Sequence, residues 1–124
     1  MRPALTTVEP NDHLAAAAYL MKHSHATALV ILDDEETKRP TGVITDADIV
    51  RAVADGKDMN EARIYDLMST APTVIKATTS IRDAARIMID RRFRHLPVVG
   101  DDGGQIGMVD ISDVCGALLY LPGG

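Results

Sequence analysis

The chain has 124 residues, of which 46% are hydrophobic and 25% are charged, a composition typical of a globular protein. Its formal net charge is −5, from 13 basic and 18 acidic side chains, which disfavours non-specific binding to the phosphates of duplex DNA. The single cysteine excludes an internal disulfide. No apolar run approaches the ~20 residues that span a bilayer, and Met1–Ala4 does not resemble the start of a secretory signal. We therefore expect a soluble cytoplasmic protein.

The first half of the chain begins with a short predicted strand, Thr6–Val8. An amphipathic helix follows, because apolar residues recur at the i, i+3, i+4, i+7 spacing; they are Leu14, Ala17, Ala18 and Met21. Two further strands are predicted at Ala28–Leu32 and Gly42–Ile44, and the second leads directly into a helix over Asp46–Ala54.

A linking helix is predicted over Asp58–Leu67. Asp58 is followed three residues later by Glu61, which is the spacing of a capping box at a helix start. The segment would connect the two halves of the chain.

The second half repeats the order of the first. It begins with a strand at Thr73–Ile75 and an amphipathic helix with the same apolar spacing, at Ile81, Ala84, Ala85 and Met88. Strands at Leu96–Val99 and Gly107–Val109 and a helix over Ile111–Leu121 complete it.

The two halves align with each other when the chain is shifted by 67 residues in the earlier part and by 65 in the later part. We therefore predict an α/β fold made of two β-α-β-β-α repeats, residues 1–57 and 68–124, joined by residues 58–67. A unit of this size buries too little surface to be stable alone. We expect the repeats to pack through their sheets with pseudo-twofold symmetry, leaving a cleft between them for a ligand.

Two runs of residues resemble a known family. Gly42 to Val53, with the sequence GVITDADIVRAV, is similar to the closing strand and helix of a CBS domain. Arg94 to Val99, with the sequence RHLPVV, resembles the middle strand of such a domain. The whole chain thus resembles a stand-alone pair of tandem CBS domains, also called a Bateman module.

The resemblance implies a regulatory protein that binds AMP, ADP, ATP or S-adenosylmethionine in the cleft between its repeats and signals by a change of conformation or dimer state. It implies that a threonine at the end of the second strand, Thr45, contacts phosphate, and that Asp48 holds the ribose hydroxyls. Spacing alone offers another explanation of this pair, because Thr45 and Asp48 stand at capping-box positions.

The second repeat departs from the family pattern, because Asp110 stands where Thr45 stands in the first. Asp113 matches Asp48, but a carboxylate at position 110 repels a phosphate. We expect a phosphorylated nucleoside at Thr45 and Asp48. The Asp110/Asp113 cleft is expected to be empty, to hold an unphosphorylated or cationic ligand, or to be structural.

The basic cluster of the second half offers further ligand contacts. The resemblance implies that basic residues just before the middle strand, Arg94 and His95, reach the phosphates of a ligand held by the other repeat. Arg91 and Arg92 are instead expected to be solvated at a helix end. Pro97 lacks an N–H group, so its nitrogen is expected to face a sheet edge or bulge that borders the ligand cleft.

Metal binding and catalysis have little support in the sequence. His23 and His25 are spaced i, i+2 rather than the i, i+4 of helical metal ligands, and we expect no metal site. Cys115 is expected to be a small buried hydrophobe. No combination of nucleophile, base and orienting group indicates an enzyme.

The alternative function is a homodimerisation or protein-interaction module that needs no ligand, because small residues on the predicted helices permit close packing. The predicted partners are a small nucleotide for the regulatory function, a second copy and an unidentified protein, but neither membrane nor nucleic acid. No obligatory cofactor is expected.

Overall fold

The computed structural model describes residues 8–34 and 36–120, and these residues form two compact units, 8–72 and 73–120. Each unit combines two α-helices with a three-stranded β-sheet. The mixed α/β architecture with two sheets is therefore the predicted one.

The first unit contains the predicted helix, two strands and helix, followed by a 3-10 helix and a third strand that was not predicted. Its elements are α1 (Leu14–Ser24), β1 (Ala28–Leu32), β2 (Pro40–Thr45), α2 (Asp46–Ala54), a 3-10 helix (Ile64–Asp66) and β3 (Ser69–Thr70). The strand order is β1-β2-β3, and both pairings are antiparallel. The expected strand at Thr6–Val8 lies outside the described residues except for Val8, which is buried.

The second unit has a strand before its first helix. Its elements are β4 (Ile75–Lys76), α3 (Ile81–Arg91), β5 (His95–Val99), β6 (Gln105–Asp110) and α4 (Ile111–Leu119). The short β4 pairs in parallel with β5, and β5 pairs with β6 in antiparallel fashion. The observed β4 begins at Ile75 rather than at Thr73, and Leu121, the expected end of the last helix, lies outside the described residues.

Each unit has its own aliphatic core beneath its helices. In the first, Leu14, Ala17 and Met21 of α1 are buried in one cluster with Leu29 and Ile44 of the sheet. The second core is built in the same way, from Ile75, Ala84, Met88, Leu96, Val98, Val109 and Val114. Burial at i, i+3 and i+7 confirms the helical face predicted from the sequence.

The linking helix predicted over Asp58–Leu67 does not form; only the 3-10 helix lies within that range. The Asp58 carboxylate accepts from the N–H of Asn60, so the expected cap toward Glu61 is absent. The carbonyls of Met59 and Ala62 accept from the N–H groups of Ala15 and Leu14. The segment thus satisfies the first turn of α1, whose N-cap residue makes no side-chain cap.

The helices of the described residues are too short to cross a bilayer. The longest contain 11 residues, which at 1.5 Å per residue is roughly 16 Å against ~30 Å of hydrocarbon.

Candidate ligand-binding site

The junction between β2 and α2 holds the two residues predicted to bind a nucleotide. Thr45 is the N-cap of α2, and its hydroxyl accepts from the N–H of Asp48 at 3.3 Å. The Asp48 carboxylate returns the contact by accepting from the N–H of Thr45 at 2.8 Å. This is a complete capping box, so the capping explanation of the spacing holds in the structure, and a ligand role for the pair stays a prediction.

The other N–H groups at the start of α2 also have acceptors. Asp46 donates to the carbonyl of Thr27 at 2.9 Å, and the N–H of Ala47 donates to the Asp46 carboxylate at 2.8 Å. A helix N-terminus attracts anions through unsatisfied N–H groups. Here three successive groups are satisfied internally, and two carboxylates lie in the first turn. The junction is therefore better suited to hydrogen-bond donors than to a phosphate.

Asp48 is one of the two buried polar or charged residues that the described part of the chain contains. One carboxylate oxygen, Oδ2, is bound by the Thr45 backbone, and the other, Oδ1, lies 2.5 Å from Nη2 of Arg51. The Arg51 side chain is 68% exposed, so the carboxylate is held on one side by the Thr45 backbone and on the other by a largely exposed cation. Sequence reasoning missed Arg51, although its i, i+3 spacing from Asp48 was a usable signal.

The β6–α4 junction of the second unit is capped in the same way. The Asp110 carboxylate accepts from the N–H of Asp113 at 2.8 Å, and the Asp113 carboxylate accepts from the N–H of Asp110 at 3.0 Å. The hydroxyl of Ser112 also donates to the Asp110 carboxylate at 2.7 Å. Glycine stands at position 116, where Arg51 stands in the first unit. This junction thus carries two carboxylates and lacks the arginine.

Arg94 and His95 lie beside this second junction. The carbonyl of Arg94 accepts from the N–H of Ile111, the first residue of α4, at 2.9 Å. His95 is directly opposite Asp110 in the β5–β6 pairing. The structure therefore brings both residues together with the Asp110/Asp113 pair of their own unit, and their predicted reach toward a phosphate stays a prediction.

Pro97 occupies the middle of β5, the central strand of its sheet, and is fully buried. Successive residues of a strand direct their backbone groups to alternate sides. Since the Arg94 carbonyl points toward β6, the Pro97 nitrogen points to the β4 side. There β4 pairs only with Val98 and Val99. The missing donor thus lies just beyond the two residues that pair with β4, and the expectation that the Pro97 nitrogen faces an edge or bulge bordering a ligand cleft stays a prediction.

Within the described residues no cluster of histidine, cysteine and acidic side chains is arranged to hold a metal ion. His23 packs its ring against Tyr19 at a centroid distance of 4.0 Å, and His25 ends α1 in the left-handed conformation. Cys115 is exposed. The prediction of a buried cysteine is wrong, because the buried face of α4 runs through Val114 and leaves Cys115 one residue outside it.

Two α/β units that share the order helix, strand, strand, helix, each with its second helix capped directly after the preceding strand, define a tandem-repeat protein. The family model of the CBS domain matches the chain twice, at residues 1–55 and 64–120. The chain belongs to the CBS-domain family. Pairs of such domains are regulatory modules.

Two relatives illustrate how the chain compares in length. The meiotically up-regulated gene 70 protein of Schizosaccharomyces pombe is 37% identical over 117 residues, covering 94% of this chain and 16% of that protein. An uncharacterized protein of Methanopyrus kandleri is 30% identical over 121 residues, covering 97% of this chain and 61% of that protein. The chain therefore spans less than two thirds of either relative.

Solved structures of similar fold include two complexes with AMP. A CBS domain protein from Pyrobaculum aerophilum complexed with AMP has a TM-score of 0.86 and 26% identity, over 98% of this chain and 92% of that one. CBSX2 of Arabidopsis thaliana in complex with AMP has a TM-score of 0.77 and 29% identity, over 96% and 92%. A hexameric CBS-CP12 protein from bloom-forming cyanobacteria has a TM-score of 0.84 and 26% identity, over 93% and 66%.

Proposed function

We propose that this chain is a regulatory module that binds an adenosine-containing ligand, AMP, ADP, ATP or S-adenosylmethionine, and signals by a change in conformation or dimer state. The observation that carries the proposal is that two proteins of the same fold, both matched over more than nine tenths of this chain, are complexed with AMP. A ligand shifts such an equilibrium only if it binds one arrangement more tightly than the other.

The chemistry of Asp48 supports a ribose-binding role. A carboxylate can accept from two neighbouring hydroxyls, and its position here is fixed by the backbone bond to Thr45. Pre-organisation of this kind lowers the entropy lost on binding. We assign the ribose diol to Asp48. We do not assign the phosphate to the start of α2, because the first N–H groups of this helix already have acceptors. The Thr45 hydroxyl can still turn its own proton toward a ligand.

The phosphate of the ligand then needs cationic side chains. Arg94 and His95 are candidates for this role, with Pro97 bordering the site. At the Asp110/Asp113 junction the N-cap residue is itself a carboxylate that repels a phosphate, so we propose that any ligand there is unphosphorylated or cationic, with Asp113 as its acceptor. No obligatory cofactor is proposed.

Titration calorimetry with AMP, ATP and S-adenosylmethionine tests the proposal. Binding is expected to release or absorb heat and to raise the melting temperature, since ligand at a hundred times its Kd stabilises the folded state by about 2.7 kcal/mol. If millimolar ligand produces neither heat nor a change in melting temperature, the proposed nucleotide binding is refuted.

A second candidate is homodimerisation without ligand, and exposed apolar side chains on the helices favour it. Val50 and Val53 of α2 are 66% and 59% exposed, and Leu119 of α4 is 76% exposed. Exposed apolar patches mark interaction sites, and a protein of similar fold is hexameric. Sedimentation velocity of the ligand-free protein is expected to show a dimer; a monomer at all concentrations would rule this candidate out.

We further propose that the module is not itself an enzyme, that it works in the cytoplasm, and that an unidentified protein reads its state. Membrane and nucleic acid are not proposed as partners. A lack of turnover of AMP or ATP during the titrations is the corresponding check.

A further inference from the structure

The ion pair between Asp48 and Arg51 is required neither by the cap of α2 nor by a ribose contact. The capping box is complete through the Thr45 backbone and hydroxyl. Arg51 adds a charge-assisted bond to the outer oxygen of Asp48, the same oxygen that a ribose diol would need. A ligand that binds Asp48 through its diol therefore competes with Arg51.

Arg51 is held weakly enough to be displaced. Its side chain is 68% exposed, and ion pairs with an exposed partner contribute little to stability. Its other guanidinium donors make no hydrogen bond to another described residue. A cation released from Asp48 in this way stays within one side-chain length of the bound sugar.

Among residues 8–34 and 36–72, Arg51 is the one basic side chain that forms a hydrogen bond or ion pair with Thr45 or Asp48. The N–H groups at the start of α2 are satisfied internally. The 5′-phosphate of a nucleotide lies one sugar ring away from the diol, within reach of an arginine that starts on the diol-binding carboxylate.

The second unit shows the same carboxylate without the cation. Asp113 occupies the equivalent position, but Gly116 stands where Arg51 would be. The two junctions therefore differ in two features that a phosphate would sense, the residue at the N-cap, Thr45 or Asp110, and the presence of Arg51.

From these contacts we infer that Arg51 selects phosphorylated over unphosphorylated adenosine ligands. In the free protein Arg51 covers Asp48; when ribose hydroxyls bind Asp48, the guanidinium moves to the phosphate, where it binds in bidentate fashion. This inference rests on the proposed function and names the residue that sets its ligand preference.

The test compares AMP with adenosine by calorimetry on the full chain. Arg51→Gln removes the charge but keeps a good helix former. Arg86→Gln, on the exposed face of α3, is the matched control, since it makes the same change in net charge. For Arg51→Gln we expect AMP affinity to fall about tenfold to hundredfold, the size of a lost bond between charged groups. Adenosine affinity should hold or rise slightly, because its competitor is gone. Arg86→Gln should match the unsubstituted protein for both ligands.

The outcomes separate this inference from the proposal beneath it. An unchanged ratio of AMP to adenosine affinity in Arg51→Gln overturns the inference and leaves nucleotide binding intact. Equal affinity of the unsubstituted protein for AMP and adenosine overturns it too. If the unsubstituted protein binds neither ligand, the proposed function fails and the role of Arg51 fails with it.

Discussion

Replacing Asp48 by asparagine separates its capping role from its proposed ligand role. Asparagine keeps one carbonyl oxygen that can accept from the Thr45 N–H, so the capping box can persist. The change removes the Arg51 ion pair, worth about 0.5 kcal/mol with so exposed a partner. It also removes a negative charge from the first turn of α2, worth about 0.3–1 kcal/mol. We expect a loss of about 1 kcal/mol in the free energy of unfolding.

The effect on ligand binding should be larger. In Asp48→Asn the remaining oxygen binds the Thr45 N–H, and the outer oxygen that a ribose diol needs is replaced by an amide nitrogen that donates instead of accepting. Bonds to charged groups contribute about 1.5–3 kcal/mol, which corresponds to a loss in AMP affinity of roughly ten- to a hundredfold. Urea unfolding and calorimetry with AMP measure the two quantities on the same preparation.

Asp113→Asn is the matched control, because Asp113 closes the same capping box in α4 and pairs with no arginine among residues 8–34 and 36–120. We expect it to lower stability by a similar or smaller amount and to leave AMP binding unchanged. The assignment of the ribose to Asp48 is refuted if Asp48→Asn binds AMP as tightly as the unsubstituted protein, or if only Asp113→Asn loses binding.

Three further predictions concern stability. Gly116→Ala should stabilise α4 by about 0.5–1 kcal/mol, since an added Cβ meets nothing within 4 Å; a lower melting temperature would contradict this. His25→Gly should raise stability by up to about 1 kcal/mol because His25 has a φ of 55° at the end of α1, whereas Ser24→Gly inside the helix should lower it. The pKa of Asp33 is lowered mainly by the hydrogen bond from the Thr37 hydroxyl and further by bonds from the backbone N–H groups of Arg39 and Asp34. The contribution of Asp33 to the free energy of unfolding should therefore be complete at pH values above 3.8, its pKa in the unfolded chain, and should be lost as the pH falls through the lower pKa of the folded protein. Asp33→Asn should reduce this loss of stability in acid unfolding curves.

Periodicity alone located most helices and strands of both units. Leu14, Ala17 and Met21 share a buried face because a helix returns to the same side at these intervals. Ala28–Leu32 was predicted with its observed bounds because a short apolar run next to a polar turn is typical of a buried strand.

The failures come from contacts that local patterns do not encode. The segment after Asp58 has a helical signature, but its carbonyls bind the N–H groups of Leu14 and Ala15, some 45 residues earlier in the chain. Cys115 lies on an apolar helix with more than one apolar face, so composition did not tell which face is buried. In both cases tertiary packing overrides the local preference.

The candidate site was predictable in its residue types but not in its bonds. The spacing of Thr45 and Asp48 fits both a helix cap and a ligand contact, and the structure shows the cap. That Arg51 would cover Asp48 depends on the rotamer of a long side chain, which the spacing permits without requiring it.

A crystal structure of the protein grown with AMP tests the central claim most directly. We predict that the ribose hydroxyls lie within hydrogen-bond distance of the Asp48 carboxylate and that the Thr45 backbone bond is retained. AMP bound with its ribose on other residues, or Asp48 still covered by Arg51 in the complex, would contradict it.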